Sequence, residues 1–178
     1  MNEIEIIRSQ LAMEHSRATE VANACAEAFG AASGLCASGE AIAGFREACV
    51  SYLVWALARF EERDQTLSEV LAERRLGALA GHSGTSREVL ARLETALASG
   101  DCDAARGRWQ EFARFFNSTW TPRRRALEAA LAEHATVAQW RAVCAVDADS
   151  MLEERNRYAR VAAHLPAGIE LRRAPPAR

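Results

Sequence analysis

Apolar residues recur at three- and four-residue steps along most of the chain, which is the signature of amphipathic helices. No Gly or Pro occurs between Met1 and Phe29. Within that stretch Ile4, Ile7, Leu11, Ala18, Val21 and Cys25 form one stripe, predicting a long first helix that Asn2 and Glu5 would cap. The small, glycine-rich stretch from Gly30 to Gly39 reads as a loop. A second helix is expected from about Glu40 to Arg75, with Phe45, Cys49, Tyr52 or Leu53, Ala56, Phe60, Leu67 and Leu71 on its apolar face. Gly77, Gly81 and Gly84 end it, and Thr85 with Glu88 fits a capping box for a third helix carrying Val89, Leu90, Leu93 and Leu97. Gly100 stops the third helix, and Asp101 or Asp103 can cap the fourth. The fourth holds Trp109, Phe112, Phe115, Phe116, Trp120, Leu127 and Leu131. Pro122 interrupts it and predicts a kink or break near Thr121, because proline lacks an N–H and crowds the preceding turn. A second capping box, Thr136 with Gln139, opens a fifth helix expected to run to about His164.

No period-two pattern and no internal repeat interrupts this series. The expectation is an all-α fold: an up-down-up-down four-helix bundle with an additional C-terminal helix. Residues 1–165 would form a single domain, and residues 166–178, with three prolines and three arginines, a mobile tail.

Composition narrows the function classes. The 178 residues carry 24 acids against 22 bases, a net charge of −2, so nothing marks a nucleic-acid or membrane-surface partner. Every base is arginine, which excludes lysine chemistry such as a Schiff base or a phosphate-loop lysine. No apolar run is long enough to span a bilayer and the first residues are charged, so the expected location is the cytoplasm. Cys25, Cys36, Cys49, Cys102 and Cys144 are scattered without a C-x-x-C pair. They fit neither a disulfide framework nor a zinc site; small core or surface residues, or one redox-sensing thiol, remain open for them.

Helical bundles place chemistry on polar residues that interrupt the apolar stripes and project inward. Here those are His15 on the first helix and Arg59, Arg63 and Asp64 on the second. His82 follows the glycine-rich link, and Thr119, Arg123 and Arg124 lie on the fourth helix. From about Ile4 to Val146 the chain resembles the hemerythrin-like (HHE-type) cation-binding domains. The resemblance rests on Glu14-His15, on the run from Arg59 through Phe60, Arg63 and Asp64 to Leu67, and on Gly81-His82. It continues in the stretch from Ala96 to Asp101 and in Trp140 with Arg141 and Ala142. It implies a bundle that holds two non-haem irons and binds or senses oxygen or related small molecules. The implied ligand positions fall on His15, on Arg59 and Arg63, on His82, and on Thr119 and Arg123.

Only His15 and His82 among these are metal-ligand residue types. Iron needs imidazole and carboxylate donors, whereas a guanidinium stays protonated and offers no lone pair. Three arginines at such a site would repel a dication. Glu62 and Asp64 are the available substitute carboxylates. The expected protein is therefore a binding or regulatory module with a degenerate, metal-free site and no catalytic activity. Its partner would be an unknown small molecule or protein, or a second copy of itself. Two alternatives stay open: a working di-iron protein, and an anion-binding bundle. In the second, Arg59, Arg63 and Arg123 would cluster inward with His15 to form the anion pocket. Otherwise these arginines would reach solvent or pair with Asp64, Glu61, Glu62 and Glu14. Inward or outward orientation of the arginines decides between these readings.

Overall fold

A computed structural model describes residues 3–30, 40–73, 83–99, 101–134, 136–143 and 148–172. Within them the chain is helical and no strand occurs. The helices are α1 (Glu3–Gly30), α2 (Glu40–Glu73), α3 (Ser83–Ala98), α4 (Cys102–Phe115), α5 (Thr121–His134), α6 (Val137–Val143) and α7 (Ala148–Ala163). A single π-helical turn, Phe116–Trp120, joins α4 to α5.

The local signals act where the sequence places them, with four instructive differences. Asp101, not Asp103, caps α4: its carboxylate accepts the backbone N–H groups of Asp103 and Ala104 at 3.1 and 3.0 Å. The Thr136 box closes reciprocally. The Thr136 N–H reaches Gln139 Oε1 at 2.9 Å, and the Gln139 N–H reaches Thr136 Oγ1 at 3.3 Å. Where one fifth helix is expected, the described residues give two elements, α6 and α7, with residues 144–147 between them outside the described residues. Helix α3 begins at Ser83, so Thr85 falls inside its first turn rather than at its edge. At Pro122 the expected kink takes the form of the π turn. The Thr121 N–H bonds back to the Phe116 carbonyl, and this wider turn gives the pyrrolidine ring room that an α turn denies it. The fourth difference lies beyond α7. Of the chain expected to form a tail, Ile169 and Leu171 pack against the core, as does Leu165 just before it. Residues 173–178 lie outside the described residues.

Helix α1 packs against α2 and α4, and α3 packs against α2 and α4, so these four enclose a common interior. That interior holds Ala18, Val21 and Cys25 from α1, Phe45, Cys49, Tyr52, Leu53 and Leu57 from α2, Leu93 from α3, and Trp109 and Phe112 from α4. Trp109 meets Phe112 edge-on at 5.6 Å between ring centres, and Phe112 meets Phe116 at 5.7 Å. Such pairs add about 0.5–1.5 kcal/mol to the burial itself. Helices α6 and α7 lie against α1 and α2, with α6 burying Trp140 and α7 burying Val161. No helix among the described residues is long and apolar enough to cross a membrane.

Candidate functional site

Helix α1 touches α2, α4, α6 and α7, so more than one of its faces is covered. Its apolar stripe cannot fill all of them, and polar side chains are carried inside. Gln10, Glu14, His15, Thr19 and Glu20 are all buried on α1. Buried polar groups are costly unless they find partners, and their partners define two seams.

The first seam joins α1 to α2. Arg63 Nη1 donates to Glu14 Oε2 at 2.6 Å, with the two side chains only 6% and 4% exposed. Gln10 Nε2 donates to the other carboxylate oxygen at 3.2 Å, one helical turn away. The Arg63 guanidinium also lies 5.8 Å from the centre of the Phe60 ring. An ion pair so enclosed interacts strongly because little water screens it, and removing one partner strands a charge in a poor solvent.

The second seam joins α7 to α1 and α2. Glu154 is buried, 1% exposed, and accepts the Tyr52 hydroxyl at 2.9 Å and an N–H of Arg17. Burial pushes the Glu154 carboxyl above its ordinary range, although Tyr52 and Arg17 pull it down. Burial also raises the Tyr52 hydroxyl, and the adjoining Glu154 carboxylate raises it further. Tyr158 stacks edge-on to Tyr52, carries the Arg17 guanidinium 5.0 Å over its ring, and donates to Glu20. Burial and that carboxylate hold the Tyr158 phenol above its ordinary range. Further along, Arg157 donates to Ser51 Oγ at 2.7 Å and Arg160 to Glu47 at 2.9 Å. At the end of α7 the His164 ring packs on Gly44, where an added Cβ would stand 3.0 Å from Nδ1. Gly44 is the residue that lets the two helices approach.

The residues singled out by sequence fall in different places. His15 is buried on α1, and its backbone carbonyl accepts the Thr19 hydroxyl at 2.9 Å. Arg63 points inward, but its charge is met by Glu14, the pairing alternative rather than an open anion pocket. Arg59 is half-buried with its guanidinium 5.2 Å from the Trp55 ring centre, and Glu62 is exposed. His82 lies outside the described residues, and the side chains of Asp64, Thr119 and Arg123 lie outside those described. Among the described residues no three His, Cys, Asp or Glu side chains gather as a metal site requires. The donor set that can be placed does not fit a dinuclear iron centre, because Arg63 brings a fixed cation and occupies Glu14, the carboxylate beside His15.

Sequence reasoning missed the second seam. Its signal was present: Glu154, Arg157, Tyr158 and Val161 recur at helical spacing on one face of α7, so polar residues hold the positions a packed face would occupy. Among the described residues, clefts adjoin α1 on two sides. One of about 590 Å³ is walled by α1, α7 and the C-terminal segment. Another of about 450 Å³ is walled by α1, α5 and α6, with Arg8, Arg125 and Trp140 on its lining. No family model, no curated protein and no solved structure matches the chain.

Proposed function

We propose that the chain is a hemerythrin-like four-helix bundle that has given up its metal centre and works as a binding or regulatory module without catalysis. Helices α1 to α4, with α5 continuing α4, would be the four members, and α6 and α7 would lie outside them. The closed series of contacts from α1 through α2 and α3 to α4 and back supports this arrangement. The resemblance in motif order from Glu14-His15 to Trp140 supports the family reading.

One observation carries the loss of metal: the enclosed Glu14–Arg63 pair. It stands at a position the resemblance assigns to an iron ligand. A guanidinium there repels a dication and has no lone pair to give. Freeing Glu14 for a metal would leave Arg63 buried and unpaired. Polar chemistry that would have gripped iron instead fastens α1 to α2.

Iron analysis of protein purified from iron-supplemented cells tests the reading. The expected result is iron far below one atom per chain and no absorption above the aromatic band. About two irons per chain with an oxo-bridged absorption would overturn it.

A further inference from the structure

We propose that the cleft between α1, α5 and α6 binds a small carboxylate anion with an apolar body. This rests on the reading of the chain as a small-molecule-binding module and gives that module a ligand class. The cleft, about 450 Å³, has the size of a small-molecule site. It is not the inward cluster of Arg59, Arg63 and Arg123 considered from the sequence, because its cations are Arg8 and Arg125.

The two cations come from different helices. On α1, Arg8 stands one turn before Leu11 and Ala12, and on α5 Arg125 stands one turn before Ala129. Side chains three or four residues apart on a helix are neighbours, so two walls each offer a guanidinium beside apolar surface. Both arginines are exposed, and among the described residues neither meets a carboxylate, unlike Arg17 and Arg63. A guanidinium fork matches the two oxygens of a carboxylate, whose four lone pairs can accept from two such groups at once. Trp140, from the third wall, is 1% exposed, and among the described residues nothing accepts its indole N–H. A buried tryptophan ordinarily satisfies that donor, and a ligand oxygen in the cleft gives it an acceptor. Leu11, Ala12, Ala129 and the Trp140 ring supply wall for an apolar body. Glu5 also lines the cleft, so among the described residues two cations stand against one anion. That balance suits a single carboxylate and disfavours a phosphate monoester, which carries about −1.5 to −2 near neutral pH.

The test is calorimetric titration of the full chain with 3-phenylpropanoate, its amide, acetate and 2-phenylethyl phosphate. The carboxylate should bind saturably near millimolar concentration. The amide, which lacks the charge, and acetate, which lacks the apolar body, should each bind weaker by about tenfold or more. The phosphate should also bind more weakly. Arg8→Gln and Arg125→Gln should each weaken 3-phenylpropanoate by about tenfold with helical content unchanged. Arg106→Gln, at an exposed arginine of α4 outside this lining, should leave its affinity as it is. The proposal is overturned if 3-phenylpropanoate does not bind by about 10 mM, or if any of the other three ligands binds as well. It is overturned equally if either cleft variant binds 3-phenylpropanoate like the parent, or if Arg106→Gln weakens it as much as they do. Should a cleft variant unfold, the four-ligand comparison on the parent chain decides alone. An iron-free chain that ignores 3-phenylpropanoate sinks this site only, whereas an iron-loaded chain sinks the functional reading.

Discussion

The two polar seams along α1 solve the same problem in different ways. Between α1 and α2, one carboxylate meets one guanidinium, and a side-chain amide donates to the same carboxylate. Under α7, Glu154 accepts both Arg17 and the Tyr52 hydroxyl, and Glu20 accepts the hydroxyls of Ser16 and Tyr158. The first seam balances charge inside the protein. The second relies more on neutral donors, and burial dominates the shift of its central acid. The first should therefore respond to loss of a partner, and the second to pH.

The largest effect expected from this contrast is at Arg63. Arg63→Ala strands Glu14 in the interior and should cost about 3–5 kcal/mol in urea unfolding. Glu14→Met with Arg63→Met should recover most of that loss, because replacing both charges by apolar groups is commonly neutral or better. A double variant as unstable as the single one would mean that the pair is not the origin of the cost.

Tyr52→Phe removes one donor from Glu154 and should cost about 1–2 kcal/mol. The pH dependence sharpens this. Glu154 holds its proton more tightly folded than unfolded, since burial raises it above 4.5. Its contribution is thus full below the unfolded value and is lost as pH rises through the raised folded value. The stability of Glu154→Gln should fall less over that window than that of the parent. Tyr52→Phe should extend the window upward, because the carboxylate loses a donor. Parallel pH profiles for parent and Glu154→Gln would contradict the assignment.

A smaller effect is expected where α7 ends. Gly44→Ala gains helix propensity but presses on the His164 ring, so the single change should be nearly neutral. Combined with His164→Ala it should show the helix gain, up to about 1 kcal/mol relative to His164→Ala alone. Smallest of all should be Glu3→Gln. Its partner Arg141 lowers the Glu3 carboxyl, yet both side chains stand in water and the thermal midpoint should not move measurably.

Much of the architecture was legible because helix signals are local. Spacing placed α1, α2 and the aromatic face of α4, and capping residues placed two helix starts. The site was harder to read because partners in a buried pair can be far apart in sequence. Arg63 and Glu14 are 49 residues apart, and Tyr52 and Glu154 are 102 apart. Glu14 appeared only as one of several acids within reach of the arginines. Glu154 and Tyr158 went unnoticed because charged and phenolic residues on a C-terminal helix resemble an ordinary solvated face. What distinguished them was phase: they share a face with Val161, and only the docking of α7 shows that this face is covered.

The widened turn at Phe116–Trp120 carries a consequence for any counting along the fourth helical run. One extra residue in a turn advances everything downstream by a position, so α5 is rotated by roughly a hundred degrees from where steps of three and four from Trp109 would put it. Alignment to an uninterrupted template is in register before Phe116 and slips by one after it. Equivalences drawn across that boundary, Thr119 and Arg123 among them, should be re-indexed before any role is transferred to them.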